Sequence, residues 1–181
     1  MSYIPVLPCN EMTPEAQAAL DAHLKHGHAT NMKRTLLNSV PAFNIYMQWY
    51  TLRDLLIPVT GERAVSIFSY AISTGNDCLI CGTFFRRILT DAGDDPDNLV
   101  LSVEEQLLFD FGLAIARNPH AIAPDVYARI KTRYSDEQIV LLIAFAGIMA
   151  ATNLFNTVAK VPLDEVLYAY TTPANCERPA D

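Results

Sequence analysis

Apolar residues recur along this chain at intervals of three and four, the spacing that places them on one face of an α-helix. Thr13-Pro14-Glu15 has the order of a helix start, with a hydroxyl cap, a proline and an acid, and predicts a helix to about Lys25. The stretch from there to Leu36 predicts a loop or a second short helix. The segment from Pro41 to Ile57 predicts a longer helix, which we expect to end before Pro58 because the residue preceding a proline disfavours helical backbone.

The middle of the chain predicts two helices joined by a tight turn. Thr60-Gly61-Glu62 begins a helix that runs to about Thr74, and Gly75-Asn76 breaks it. Asp77 can then cap a second helix, which continues to about Thr90. A polar turn rich in glycine, proline, aspartate and asparagine follows over residues 91–99.

Two capping-box patterns mark helix starts in the second half of the chain. Ser102-Val-Glu-Glu105 opens a helix that ends near Asn118-Pro119, and Ser135-Asp-Glu-Gln138 opens a long helix to about Val158. Pro124 begins a short helix between them. The uninterrupted apolar run Ile139–Ala151 is too short to span a bilayer and predicts a helix buried on all sides.

No segment alternates apolar and polar residues with the period of two that is typical of a strand. We therefore predict an all-α, single-domain bundle of about seven helices. Within it we expect an N-terminal helical extension over residues 1–35, the main helical domain over 36–162 and a C-terminal tail over 163–181.

Composition and charge narrow the classes of partner. Of the 181 residues, 51% are hydrophobic and 18% are charged, which is globular composition, and the net charge of −7 disfavours nucleic acid and anionic membranes. The basic clusters Lys33-Arg34 and Arg86-Arg87 have no interleaved aromatic residues. Residues 1–10 do not resemble an export signal, so we expect a cytoplasmic protein. We expect no cofactor, since no glycine-rich phosphate loop is present.

The cysteines of Cys78-Leu79-Ile80-Cys81 are the most reactive groups that the sequence places together. In a helix, residues three apart lie on one face with about 5–6 Å between their Cβ atoms. Both cysteines fall in the first predicted turn, where free backbone N–H groups and the helix dipole favour a thiolate. Such a pair can move between dithiol and disulfide, or react with a peroxide through a sulfenic acid that the second thiol resolves.

Other interpretations of the cysteines are a zinc site and simple packing. Zinc would need two further ligands, and we expect no metal because the remaining candidates are isolated. Cys9 and Cys176 lie near the termini, and the histidines at 23, 26 and 28 are expected at a solvated helix end. Two small apolar side chains could also simply fill a helix interface beside Leu79, Ile80 and Phe84.

Hydroxyl side chains form a stripe on the preceding helix, at spacings of three and four residues. They can bond back to the carbonyl four residues earlier, or they can line a cavity beside the cysteines. The stripe consists of Ser66, Ser69, Tyr70 and Ser73.

The order of these motifs resembles the alkylhydroperoxidase-D-like, or carboxymuconolactone decarboxylase-like, family of all-α proteins. The resemblance covers roughly residues 40–160 and is carried by the segments 66–81, 101–106, 116–119, 134–140 and 153–156. It implies that Cys81 is the attacking thiol and Cys78 the resolving one, and that an external thiol acts as reductant. It also implies a homo-oligomer, often a trimer or a multiple of it, acting on a hydrophobic peroxide.

The proton relay of the peroxidase branch is missing from this chain. That branch has a glutamate twelve residues before the first cysteine and a histidine four after the second, and these positions are Ser66 and Phe85 here. Phe85 and Asp77 are expected to raise the pKa of the attacking thiol. Glu62, one turn before Ser66, could reach the site through a water or Tyr70.

Two functions therefore remain open at this point. One is a CxxC thiol–disulfide redox protein that reduces organic hydroperoxides with an altered relay. The other is a catalytically degenerate family member that binds a small apolar ligand or a partner.

Overall fold

The computed structural model describes residues 2–171, and within that range the chain is helical and contains no strand. The all-α prediction is confirmed, although the described chain has nine α-helices instead of about seven. They are α1 (Pro14–Leu24), α2 (Asn31–Leu36), α3 (Val40–Tyr46), α4 (Gln48–Thr60), α5 (Glu62–Gly75), α6 (Leu79–Asp91), α7 (Val103–Arg117), α8 (Pro124–Arg133) and α9 (Asp136–Val158). Short 3₁₀ turns cover Cys9–Glu11, Pro119–Ala121 and Glu165–Tyr170.

Side-chain caps start the helices where the sequence predicts them. The Thr13 hydroxyl accepts a hydrogen bond from the backbone N–H of Ala16 at the start of α1. Both predicted capping boxes form, at Ser102 for α7 and at Ser135 for α9. These local contacts satisfy the free N–H groups of the first turn and so fix the helix boundaries.

The predicted helix from Pro41 to Ile57 is wrong in both its extent and its continuity. The chain forms α3 and α4 with a break at Met47, and Pro58 lies inside α4, which ends two residues later. A proline removes one backbone hydrogen bond and crowds the preceding turn. Because Pro58 lies in the last turn, only two residues of α4 follow it, and few helical hydrogen bonds lie beyond the proline.

Helix α5 is the centre of the fold and packs against α4, α6, α7 and α9. The Phe68 ring stacks on Phe111 of α7 at 6.2 Å and on Phe145 of α9 at 6.0 Å between centroids. Gly112 permits the close approach of α7, since a Cβ there would lie only 3.0 Å from the Phe68 ring. This main core fixes α5 and α6, and thereby the cysteines between them.

A second, smaller hydrophobic cluster joins α1, α2 and α3. It contains Ala16, Leu20, Leu36, Leu37 and Phe43, all of them nearly inaccessible to solvent. The predicted N-terminal extension thus shares a core with the first residues of the segment that follows it.

Helix α9 corrects the prediction of a helix buried on all sides. It has 23 residues, and it is the one helix of residues 2–171 whose length and composition would suffice to cross a membrane. One face packs in the core, while Val140, Ile143, Leu154 and Val158 are exposed on the other. The uniformly apolar sequence carries no periodic signal that would distinguish the two faces.

Candidate functional site

Cys78 itself caps α6, which corrects the predicted capping role of Asp77. Its sulfur accepts a hydrogen bond from the backbone N–H of Cys81 at 3.4 Å. Asp77 instead occupies the turn after α5 with φ +53°, a left-handed conformation that aspartate tolerates better than most residues. Asp77 therefore forms the turn between α5 and α6, and Cys78 is the N-cap residue of α6.

Both thiols are free and buried. Cys78 is 4% exposed and Cys81 is 6% exposed. The pKa of Cys78 is lowered because its sulfur accepts a hydrogen bond from the Cys81 thiol and further ones from backbone N–H groups of the first turn. The pKa of Cys81 is raised well above its ordinary value, because its thiol donates to Cys78, it is buried, and its ionisation would put a second negative charge beside Cys78. The neighbouring thiols therefore shift each other's pKa in opposite directions.

Asn156 of α9 is a site residue that sequence reasoning missed. Its side-chain N–H donates to the Cys81 sulfur at 3.1 Å, and its side-chain oxygen is buried without a hydrogen-bond partner. The available signal was a pair of asparagines, Asn153 and Asn156, in an otherwise apolar helix, since buried amides are costly unless they bind something.

The cysteines open onto two different cavities. The one beside Cys81, here called the Cys81 pocket, has a volume of about 90 Å³ and mostly apolar walls that include Met47, Trp49, Phe84 and Met149. The one beside Cys78, here called the Cys78 pocket, has a volume of about 120 Å³ and more polar walls. Tyr70, Thr74, Asp77 and Arg86 contribute to these polar walls.

One end of the Cys81 pocket carries charge that the sequence did not predict there. Lys33 is 5% exposed, and its ammonium donates to the backbone oxygen of His28 at 2.7 Å and to the Tyr50 hydroxyl at 2.9 Å. Burial lowers the pKa of Lys33 to about 8. Asp164 also lines the pocket, and burial raises the pKa of its carboxyl. The sequence pattern suggested a surface cluster at Lys33-Arg34 and gave no sign of this burial.

The structure brings only some of the predicted tuning residues to the thiols. Tyr70 lies at the Cys78 pocket, and the buried Phe85 lines the Cys81 pocket. Glu62 instead pairs with Arg53 at 2.6 Å, and it lines a separate groove with Ser66. Among the described residues, the side chain of Glu62 has no hydrogen bond to Tyr70 or to either cysteine.

The hydroxyl stripe divides between the two predicted roles. Ser66 donates to the carbonyl of Glu62 at 3.1 Å and Ser69 to that of Val65 at 2.8 Å, which is the local back-bonding alternative. Ser73 is buried with a hydroxyl that has no partner among the described residues. Of the four described residues of the stripe, Tyr70 is the one that lines a pocket beside a cysteine, the Cys78 pocket.

The histidine segment differs from the predicted solvated helix end at one position. His23 is buried against the rings of Phe43 and Tyr50, and desolvation lowers its pKa to about 4, while His26 and His28 are exposed. Over residues 2–171, no group of three or more metal-binding side chains comes together. Cys9 is exposed, and Cys176 lies outside the described residues.

Neither a known protein family nor a curated protein sequence matches this chain.

Proposed function

We propose that this chain is a thiol–disulfide redox protein of the alkylhydroperoxidase-D-like kind, in which Cys78 and Cys81 alternate between dithiol and disulfide. The observation that carries the proposal is that two free, buried thiols share the first turn of α6, where the Cys81 backbone N–H donates to the Cys78 sulfur at 3.4 Å and the Asn156 side chain donates to the Cys81 sulfur at 3.1 Å. A thiol whose pKa is lowered by hydrogen bonds and that lies within one helical turn of a second thiol is suited to disulfide formation.

The proposed oxidant is an organic hydroperoxide that enters the Cys81 pocket. The Cys81 sulfur, its proton transferred to Cys78, attacks the terminal peroxide oxygen. The O–O bond breaks, and the leaving alkoxide takes that proton from Cys78 and departs as the alcohol. The Cys78 thiolate then attacks the sulfur of the Cys81 sulfenic acid, which forms the S–S bond and releases the former terminal peroxide oxygen as hydroxide. The thiol pair is thereby oxidised by two electrons, and the hydroperoxide is reduced to one alcohol and one hydroxide.

Cys78 also supplies the base that the missing glutamate and histidine would otherwise provide. Its thiolate accepts the Cys81 proton along the hydrogen bond that joins the two groups. Because this transfer runs against the difference in pKa, we expect slower turnover than with a dedicated relay, whose general acid–base help is typically worth about 10²–10⁴-fold.

The cycle closes when an external dithiol reduces the disulfide. The proposed entry is the Cys78 pocket, whose polar walls suit a solvated thiol better than the apolar walls beside Cys81 do. Since free thiols must be regenerated, we propose the reducing cytoplasm as the compartment.

The experiment that tests this function oxidises the reduced protein with one equivalent of cumene hydroperoxide. We expect the intact mass to fall by two hydrogen atoms within seconds to minutes and to return with dithiothreitol. Peptide mapping should then place the disulfide between Cys78 and Cys81. The double variant Cys78→Ser/Cys81→Ser is the matched control. An unchanged mass in the wild type would refute the proposal.

A second candidate is a family member without redox turnover that binds a small apolar ligand. It is favoured by the low exposure of both thiols and by the apolar walls of the Cys81 pocket. This candidate requires thiols that resist both peroxide and alkylating reagents until the protein unfolds.

We further propose that α9 pairs with a second copy of this chain, giving a trimer or a multiple of it. No charged residue occurs between Glu137 and Lys160, and the exposed face of α9 is apolar. A Cβ at Gly147 would meet nothing within 4 Å, so a neighbouring helix can approach closely there. An exposed apolar surface along a helix about 35 Å long is typical of an interface.

Changing Leu154 to glutamate is expected to dissociate this oligomer, because the charge would lose its hydration at the interface. Sedimentation at micromolar concentration should give a multiple of 20.1 kDa for the wild type and a single chain for the variant. Val100→Glu, at an exposed position away from α9, should leave the oligomer intact. A wild-type monomer would contradict the proposal.

A further inference from the structure

The buried ammonium of Lys33 lies in the wall of the Cys81 pocket, where burial lowers its pKa and the charge of Asp164 raises it, although the two groups form no ion pair. Its two acceptors, a backbone carbonyl and the Tyr50 hydroxyl, are neutral. Among residues 2–171 no carboxylate forms an ion pair with it. A buried cation is costly unless it is paired, so an anion that reached this end of the pocket would be bound favourably.

Two other side chains of the same pocket have buried polar atoms without partners. The indole N–H of Trp49 is an unused donor, and the side-chain oxygen of Asn156 is an unused acceptor. An indole N–H can only donate, and it therefore suits an anionic oxygen. Trp49 and Lys33 thus both line a cavity that is otherwise mostly apolar.

The charges around the pocket favour an anion despite Asp164. The Asp164 carboxylate accepts a hydrogen bond from the backbone N–H of Asn31 at 2.8 Å. Arg34 and Arg87 lie close enough to lower the pKa of Asp164, and Arg87 also pairs with Asp91 at 3.7 Å. With Lys33, three cations therefore stand against two carboxylates. This is a basic location in a chain whose net charge is −7.

We propose that the Cys81 pocket binds a small amphipathic carboxylate whose head pairs with the Lys33 ammonium and whose apolar body lies against Phe84 and Met149. The pocket volume of about 90 Å³ is below the roughly 150 Å³ that holds benzene, so it encloses a short part of the ligand. The inference rests on the proposed function in one respect: under that function, this carboxylate is the molecule that carries the hydroperoxide group to Cys81.

Binding is tested by calorimetry with octanoate and 1-octanol, which share a chain length and differ in charge. The protein is the Cys78→Ser/Cys81→Ser variant, so that neither thiol of the pair can be oxidised. At pH 7 we expect octanoate to bind about tenfold more tightly than octanol. Lys33→Met should remove that preference and leave octanol binding in place. Equal affinities before the substitution, or a preference that survives it, would overturn the proposal.

A pH series on the same double variant needs no change at Lys33 and decides the matter if Lys33→Met does not fold. Octanoate affinity should fall about tenfold between pH 7 and 9.5, because Lys33 with a pKa of about 8 loses its charge while octanoate stays ionised. Octanol affinity should not change. The other groups facing Lys33 do not titrate in this window, since burial raises the pKa of Tyr50 above 10 and the pKa of His23 is about 4. The Asp164 carboxyl also faces Lys33, and burial raises its pKa.

A pH-independent preference for octanoate would likewise overturn the inference. Because the assay is made without Cys78 and Cys81, failure of the peroxidase experiment leaves this result unaffected, and failure here leaves the redox proposal standing.

Discussion

Replacing Cys81 with serine is expected to reduce oxidation of the protein by cumene hydroperoxide by at least about a hundredfold, the scale of a lost catalytic group. The reason is location, because Cys81 lines the apolar pocket that the hydroperoxide is proposed to enter, whereas Cys78 lies at the polar one. Stopped-flow mixing followed by mass spectrometry measures the rate and identifies the oxidised sulfur.

Cys78→Ser is the informative partner of that variant. Serine preserves the helix cap but removes the base and the resolving thiol, so Cys81 should oxidise slowly and stop at a sulfenic acid that dimedone traps. Cys9→Ser, at an exposed and distant position, should behave as the wild type. If Cys81→Ser instead reacts at the wild-type rate and Cys78 becomes the sulfenic acid, the attacking role belongs to Cys78, as its lowered pKa alone would favour.

Replacing Phe68 with alanine is expected to lower the free energy of unfolding by about 3–5 kcal/mol. Its ring is inaccessible to solvent and stacks on Phe111 and Phe145, so the substitution opens a cavity where α5, α7 and α9 meet. Urea denaturation followed by circular dichroism measures the change.

Val100→Ala is the matched control for that prediction, because Val100 is 87% exposed and its truncation should change stability by no more than about 0.5 kcal/mol.

A milder substitution covers the case in which Phe68→Ala leaves too little folded protein to measure, since domains are stable by only about 5–15 kcal/mol. Phe68→Leu should then give a smaller loss of the same sign. A loss below about 1 kcal/mol for Phe68→Ala would mean that α5 is not the centre of the core.

Local patterns predicted the parts of the fold that local contacts determine. The capping residues Thr13, Ser102 and Ser135 act within their own first turns, and their helices begin where expected. The helix with Pro58 was wrong because the cost of a proline depends on how much helix follows it. The exposed face of α9 was missed because it depends on which neighbours cover the helix.

Of the candidate site, the sequence predicted only the residues that lie close together in the chain. The spacing of Cys78 and Cys81 places them in one helical turn, and the structure agrees. Lys33 and Asn156 reach the same pocket from distant segments, which no local pattern indicates. A raised pKa of Cys81 was predicted from Phe85 and Asp77, but in the structure it is the neighbouring Cys78 and burial that raise it. The lowered pKa of Cys78 needed the structure, because it follows from the hydrogen bonds that its sulfur accepts.

The Cys81 pocket lies between segments that are far apart in the chain. The thiols and Asn156 come from α6 and α9, whereas Lys33 and Trp49 come from α2 and α4, and the smaller hydrophobic cluster holds α2 in place. The charged end of the pocket and the dithiol are therefore supplied by different helices. A substitution at Lys33 alone is expected to change which head group the pocket accepts, while the two thiols keep their positions at the start of α6.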